Sequence, residues 1–410
     1  MIPAPKYWTS RTIGEVTLPV DKHRPEEEPL REFQYVDISS IDNDRNVIAE
    51  PKTLLGKDAP SRARQVLRTG DTVLSTVRTY LKNTAMVPTH LDGATASTGF
   101  SVLRPDRDQI EPRFLYYRVL EEGFVGELSE KQTGTSYPAV RDSDVRSMAV
   151  SCPELDEQQR IVEMIEEQFS RIEAGVESLQ RGKLSLERLR RSVTMSMFQS
   201  DWPLVALGDV AEISGGITKN RRLEADPNAV EVPYLRVANV QRGYLDLSEV
   251  KTIRAPREKV EKTLLRDGDV LFTEGGDRDK LGRGWVWRDE LERCAHQNHV
   301  FRARIDQTEF VPEFVSIYSN HFGRGWFEEM GKQTTNLASI SLSTLREFPI
   351  PSPPLAVQEG SMVEIDRIDS IVDNVEAALE SNLDRANGLR RSMLIAAFSG
   401  RLVSAHRGAG

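Results

Sequence analysis

Cysteine is almost missing from this chain. Cys152 and Cys294 are the only two in 410 residues, which excludes a disulfide framework and a cysteine-based zinc site. Long apolar runs are missing as well. The longest near either end, MLIAAF at 393–398, is far too short to cross a bilayer. The opening MIPAPKYWTS lacks the basic-then-apolar layout of a signal peptide. These absences predict a cytoplasmic protein. A basic excess, the usual footprint of a nucleic-acid binder, is also absent: the formal charge is −9, spread along the chain. That weighs against a nucleic-acid partner without excluding one, because encounter is governed by the local field of a patch.

Catalytic signatures are equally scarce. A phosphate-cradling loop needs G-x-x-x-x-G-K-[ST], and GGDRDKLGRG at 275–284 does not fit. No G-x-G-x-x-G follows a strand-like run, so a dinucleotide site of that kind is not indicated. The N-P-P motif that holds a target amino group in adenine methyltransferases is missing. His296-x-x-His299 has no adjacent carboxylate or cysteine set to complete a metal site, and both are expected as hydrogen-bonding surface histidines. Asp226, Glu249 and Lys251 meet the acidic-then-E-x-K pattern of a Mg²⁺ nuclease. With 63 acidic and 54 basic residues such triplets arise by chance, and the first half has no copy. The sequence therefore predicts a protein without catalysis of its own.

What is present is a duplication. LRRSVTMSMFQS at 189–200 answers LRRSMLIAAFSG at 389–400, and the offset stays close to 200 throughout. WTSRTIGEV (8–16) answers WPLVALGDV (202–210), and YVDISSI (35–41) answers YLRVANV (234–240). LRTGDTVLST (67–76) answers LRDGDVLFTE (265–274), EPRFLYY (111–117) answers VPEFVSIY (311–318), and CPELDEQQ (152–159) answers SPPLAVQE (352–359). The collinear order means a duplicated domain plus helix, not a solenoid of small repeats. A chain of this length suggests two to four domains. Each half begins with short β-rich runs punctuated by Gly-Asp turns. A polar loop (GTSYPAV, TTNLASI), a Pro-rich junction and a long helix follow.

The helices are predicted over 155–199 and 355–399. In the first, Val162, Ile165, Phe169, Ile172, Val176 and Leu179 recur at steps of three and four. In the second, Ile365, Ile368, Val372, Val375, Leu379, Ala386, Leu389 and Met393 do so. This is the spacing of a coiled-coil seam, with Ile165, Ile172, Leu179, Ile365, Val372 and Leu379 as its core. A helix of that length, roughly 65–70 Å at ~1.5 Å per residue, outruns the width of one domain. An antiparallel pairing of the two, with a pseudo-twofold axis, is the expected solution; the alternative packs each helix on its own domain. Asn382 either fixes register in the seam or faces solvent through a slip of the heptad frame. Gly182 and Gly388 are places where a kink or break is allowed. Ser151-Cys-Pro-Glu154 fits a capping box.

These residues resemble the specificity (S) subunit of type I restriction–modification systems. The likeness lies in PELDEQQRIV (153–162) heading one helix, LRRSMLIAAFSGRLV (389–403) ending the other, and the GDTVLST/GDVLFT strands with ASTGFSVLRP (96–105) as the next strand. The chain departs from its own first copy at Val357, where Glu157 stood, and at Ser361, where Ile161 stood. The resemblance implies an α+β fold: two similar mixed α/β target recognition domains, at 1–153 and 201–353. They would be separated by two long conserved helices, 154–200 and 354–410 with its tail, forming an antiparallel coiled coil. It implies a non-catalytic reader of double-stranded DNA, each domain taking one half of a bipartite site. Two adenine-N6 methyltransferase (M) subunits would dock along the helices, and restriction/translocation (R) subunits would join that core. S-adenosylmethionine, ATP and Mg²⁺ would belong to those partners.

Phosphates are contacted by Arg, Lys, Ser, Thr and backbone amides, and base edges by Arg, Asn, Gln and small polar groups. After the first Gly-Asp strand the candidates are Ser75, Thr76, Arg78, Tyr80, Lys82 and Asn83. After the second they are Thr273, Arg278, Lys280 and Arg283. The polar loops add Gln132, Thr133, Thr135, Ser136 and Tyr137, then Gln333, Thr334, Thr335 and Asn336. Arg236 and Asn239 in YLRVANV complete the set. A different class of reading, a coiled-coil adaptor whose heads bind proteins, predicts no change in host DNA methylation when the gene is deleted.

Overall fold

The computed structural model describes residues 4–220, 226–277, 280–333 and 338–402. The chain divides into two compact units: residues 1–181 with 379–410, and residues 182–378. Each unit holds one head and takes a part of each long helix.

In unit 1 the first strand, Thr9–Thr12, runs antiparallel to Ala149–Cys152, the last strand before the helix. Two four-stranded sheets lie between them in sequence. One is ordered Lys52–Leu55, Glu32–Val36, Thr95–Ser97, Ala63–Val66; the other Thr17–Leu18, Phe100–Pro105, Thr72–Ser75, Thr84–Met86. Unit 2 repeats this path. Leu204–Ala206 pairs with Pro349–Pro351, and Ala211–Gly215, Val300–Ile305, Asp269–Thr273 and Gly284–Val286 form the second four-stranded sheet. Even a parallel pairing is reproduced: Tyr35 lies opposite Thr95 and Tyr234 opposite Ala295.

The repeated motifs have structural causes. Gly70 and Gly268 turn with φ of 86° and 85°, a conformation that a side chain resists. The aspartates after them are buried, each 1% exposed. Asp71 accepts the Arg68 amide at 2.9 Å and Asp269 the Arg266 amide at 2.8 Å, closing the turn. The next strand then supplies a guanidinium to each: Arg104 on Asp71 at 3.2 and 3.0 Å, Arg304 on Asp269 at 2.9 and 2.8 Å. Gln158 and Gln358 form a second shared device. Gln158 accepts the Glu111 amide at 2.8 Å and donates to the carbonyls of Gln109 and Pro153. Gln358 accepts the Val311 amide at 2.9 Å and donates to Glu309 and Pro353. One buried amide thus ties each long helix to the head that precedes it.

The helices span Leu155–Ser196 and Leu355–Phe398 and run without a break through Gly182 and Gly388. The expected capping box is not formed. Ser151 belongs to a strand, opposite Ser10, and the helix opens after Pro153 with the Glu154 carbonyl accepting the Glu157 and Gln158 amides.

Within each unit the helix segments are antiparallel. In unit 1, Ile161, Val162 and Ile165 share a core with Leu394, Ala397 and Phe398, and Phe398 meets Phe114 edge-on at 5.2 Å. In unit 2, Phe198 packs on Phe314 at 4.8 Å, beside Ile365. The repeated phenylalanine is therefore the plug that each helix end presses into a head, worth about 2–3 kcal/mol of burial. Ile165, Ile365 and Val372 are buried and Ile172, Leu179 and Leu379 half-buried, as the seam requires. In the second helix the seam follows 372, 376, 379, 383, 386, 390, 393 and 397, so Val375, Asn382 and Leu389 face solvent. Asn382 is not a register residue. The second arginine-rich repeat is read the same way: Leu189 and Leu389 are exposed, and the arginines after them turn inward. Arg190 pairs with Asp369 at 2.8 Å and also with Asp373; Arg390 lies over the Phe169 ring at 5.9 Å.

Candidate functional site

Both units bring the loop after the Gly-Asp strand against the polar loop that precedes the last strand. In unit 1 the polar loop closes on itself through two backbone bonds between Thr133 and Ala139, with Gly134 at φ 96° in its turn. Val77 bridges to Ala139, and the Arg78 amide donates to the Pro138 carbonyl at 2.8 Å. Side chains lock the same join: Thr79 and Ser129 share a hydroxyl bond at 2.8 Å, and Gln132 donates to Thr79. In unit 2, Gly275 and Gly276 pair with Ser339 and Ala338, which pair in turn with Lys332–Gln333. The two loops occupy corresponding places in the two folds.

The candidates separate by burial. Ser75, Thr76 and Thr273 are buried. Ser75 donates to the Val77 carbonyl, Thr76 to Gly99, and Thr273 to Lys280; all three hold the loop. Asn239 is 3% exposed, and its amide is engaged by the Arg236 N–H and the carbonyls of Asp246 and Glu249. It is a loop staple, and the expectation that it faces a ligand does not fit this geometry. Arg236 is half-buried and pairs with Glu249 at 3.6 Å. Asn83 is half-buried, its carbonyl accepting the Ser75 amide at 3.0 Å.

The outward-facing candidates in unit 1 are Tyr80, Thr133, Thr135, Ser136 and Tyr137. Arg78 and Lys82 flank the short turn Thr79–Leu81 in left-handed backbone, with φ of 49° and 51°, a strain of about 1–3 kcal/mol each. Lys82 reaches Glu122 at 3.5 Å. Arg78 instead lies over the Tyr137 ring, 5.0 Å from its centroid, and donates to the Ser136 carbonyl at 3.3 Å. In unit 2, Lys280 pairs with Asp277 and Arg283 donates to the Val237 carbonyl at 3.3 Å. Gln333 lies in its short strand. Arg278, Thr334, Thr335 and Asn336 lie outside the described residues.

Sequence reading missed the residues beneath the first loop. Asn43 donates to the Leu81 carbonyl at 3.2 Å and Asn46 to that of Lys82 at 2.9 Å. The signal was there, in the IDNDRN run at 41–46, whose asparagines suit turns and left-handed backbone. Nearby, unit 1 has a cavity of about 940 Å³ lined by Asn46, Tyr116, Tyr117, Glu173, Asp384 and Arg390 among others. Burial pushes the Tyr117 hydroxyl up to about 12. Its lining carries both charge signs, which suits no single ligand class.

The nuclease-like triplet does not assemble. Ala229 pairs with Pro256 and Tyr234 with Lys251, at opposite ends of one ladder. Five steps at ~3.4 Å put about 17 Å between those ends, and Asp226 caps Asn228 beyond the far one. Glu249 is engaged by Lys251 and Arg236. The histidines do not act together either: His296 is fully buried with Nδ1 at the Val300 carbonyl, and His299 pairs with Glu274 at the surface. The expectation of two surface histidines therefore holds for His299 and fails for His296. Among the described residues no three His, Cys, Asp or Glu side chains converge as metal ligands, and no helix is long and apolar enough to cross a membrane.

Comparison with known proteins gives a consistent answer. The sequence model of the family described as "Type I restriction modification DNA specificity domain" matches residues 5–178 and again 199–383. The chain is 22% identical over 324 residues to the type I restriction enzyme EcoKI specificity subunit of Escherichia coli (strain K12), covering 75% of this chain and 68% of that protein. It is 21% identical to the StySPI specificity subunit of Salmonella potsdam, covering 74% and 68%. Among solved structures, the HsdS subunit from Thermoanaerobacter tengcongensis is 30% identical with a TM-score of 0.62, covering 97% of this chain and 98% of that one. A chain from a structure described as the basis of complex assembly and conformational transition of the type I R-M system is 30% identical, with a TM-score of 0.76, covering 97% and 99%.

Proposed function

Because the chain belongs to the type I restriction–modification DNA specificity family and carries that family's domain twice, we propose that each unit reads one half of a bipartite, asymmetric DNA site. The observation that carries this reading is a shared frame bearing unlike loops. Both heads keep the buried Asp–Arg pair and the helix-tying glutamine, and they differ where polar side chains face outward. The adenine-N6 methyltransferase subunits dock along the long helices, where Leu184, Leu189, Val363, Ile371, Val375 and Leu389 are exposed. A restriction/translocation subunit joins that assembly. S-adenosylmethionine, ATP and Mg²⁺ are bound by those partners, and the chain works in the cytoplasm.

With a charge of −9, the chain alone binds duplex DNA weakly and relies on its methyltransferases to close round it. Gel-shift titration at stated salt tests this: tight, sequence-specific binding by the lone chain contradicts it. The helices that pass between the units carry the gap between half-sites. Lengthening both by equal turns widens the unread gap, and a fixed gap contradicts that part of the reading. The whole proposal is tested by mapping N6-methyladenine across the host genome with and without this gene. Loss of one two-part motif is the expected result, and an unchanged map refutes it.

A further inference from the structure

We propose that Arg78, held by Tyr137, reads a guanine in the half-site taken by unit 1, while unit 2 carries glycine, Gly276, at the corresponding position. The inference rests on the DNA-reading role proposed above. Its starting point is a correspondence between the folds. Val77 meets Ala139 as Gly275 meets Ser339, and Arg78 meets Pro138 as Gly276 meets Ala338. At this position both backbones have positive φ, 49° at Arg78 and 147° at Gly276. The two conformations differ, and unit 2 adopts its own with glycine, the residue for which a positive φ carries no steric penalty. Unit 1 tolerates the strain and keeps a long cationic side chain there. An outlier that the surroundings over-determine, here through Thr79, Ser129 and Gln132, marks a functional position.

The side chain is arranged for reading and not for a structural ion pair. Among the described residues Arg78 makes no ion pair; its partners are the Tyr137 ring and the Ser136 carbonyl. The guanidinium carbon lies 5.0 Å from the ring centroid, and the single carbonyl takes one of the five N–H donors. The remaining donors suffice to present two in parallel, the geometry that matches guanine O6 and N7 in the major groove. Tyr137 is 72% exposed and Arg78 half-buried, so the pair lies at the surface of the head with the ring outermost. Lys82, strained in the same way, is engaged by Glu122 and does not offer such an edge.

The test uses the chain with its partner subunits in the host, read by mapping N6-methyladenine. Arg78→Gly relieves the backbone strain as unit 2 does, so the fold is kept. The expected result is relaxation at one G·C pair of one half-site, discrimination there falling roughly ten- to hundredfold, with the other half-site unchanged. Arg78→Lys keeps the charge, loses the fork, and leaves that position relaxed. Tyr137→Leu relaxes the same position to a smaller extent. An unchanged motif overturns the proposal. So does an intact motif methylated less everywhere, which marks a phosphate contact. If deleting the whole chain leaves the map unaltered, the underlying reading fails, and this inference with it.

Discussion

At the turn before the central strand, unit 1 sets Asp71 against Arg104 and unit 2 sets Asp269 against Arg304. Three residues beyond that strand, unit 1 has a strained arginine over a tyrosine ring and unit 2 has Gly276. In the neighbouring sheet, Ala96 of unit 1 and His296 of unit 2 take the same pairing position, both fully buried. The frame is shared because burial and backbone pairing leave it few alternatives. The outward residues are free to diverge because little packing depends on them. The proposed reading of two half-sites needs this division, since they can differ only if the loops can change without loss of the fold.

The largest test of the shared frame is to remove its buried acid. Asp269→Ala leaves the largely buried Arg304 guanidinium without its carboxylate, at a cost of about 3–5 kcal/mol; Asp71→Ala leaves Arg104 with the exposed Asp21 at 3.3 Å, and its cost should be smaller. Chemical denaturation should show a loss for both variants; a loss in one alone would mean that the frame is not equivalent. Gln158→Ala and Gln358→Ala come next. Each strands one amide and two carbonyls where helix meets head, and about 2–3 kcal/mol is expected.

The buried histidine separates the units by pH. Desolvation lowers the His296 pKa from 6.5 to about 4. Below pH 6.5 the unfolded chain takes up a proton that the folded one refuses, so stability falls as pH drops from 6.5 towards 4. The loss attributable to this residue approaches about 3 kcal/mol. Melting of the native chain and of His296→Ala, which copies unit 1, should therefore converge on acidification. A constant gap between the two curves would remove His296 as the cause.

The smallest effects concern the helices. Arg190 pairs with two aspartates while half-exposed, and Arg190→Ala should cost about 1 kcal/mol, less at high salt. Arg390→Ala, which loses a ring contact, should cost about 0.5–1 kcal/mol with weak salt dependence. Equal salt responses would erase that contrast.

Most of the fold was legible because duplication doubles every signal. A Gly-Asp turn or a proline-bounded helix start is weak once and strong when it recurs in order. The seam differs from its expected form where apolar residue type and position disagree. The seam keeps a strict seven-residue repeat through 372, 379, 386 and 393, but its second row is Glu376, Leu383 and Arg390, one residue after the more apolar-looking row of Val375, Asn382 and Leu389. Ser151 looked like a helix cap because strand pairing with Ser10 is not visible locally. At the candidate site, residue type pointed to the correct loops but not to exposure. Asn239 and Thr273 are as polar as Tyr137, and only the folded chain separates staples from outward-facing groups.

The central claim is that two independent heads each read half of one DNA site. It is tested most directly by replacing residues 1–150 with those of a relative of different specificity and mapping N6-methyladenine in the host. One half of the methylated motif should change while the other half and the gap between them stay fixed. A change in both halves, or in neither, would contradict the account.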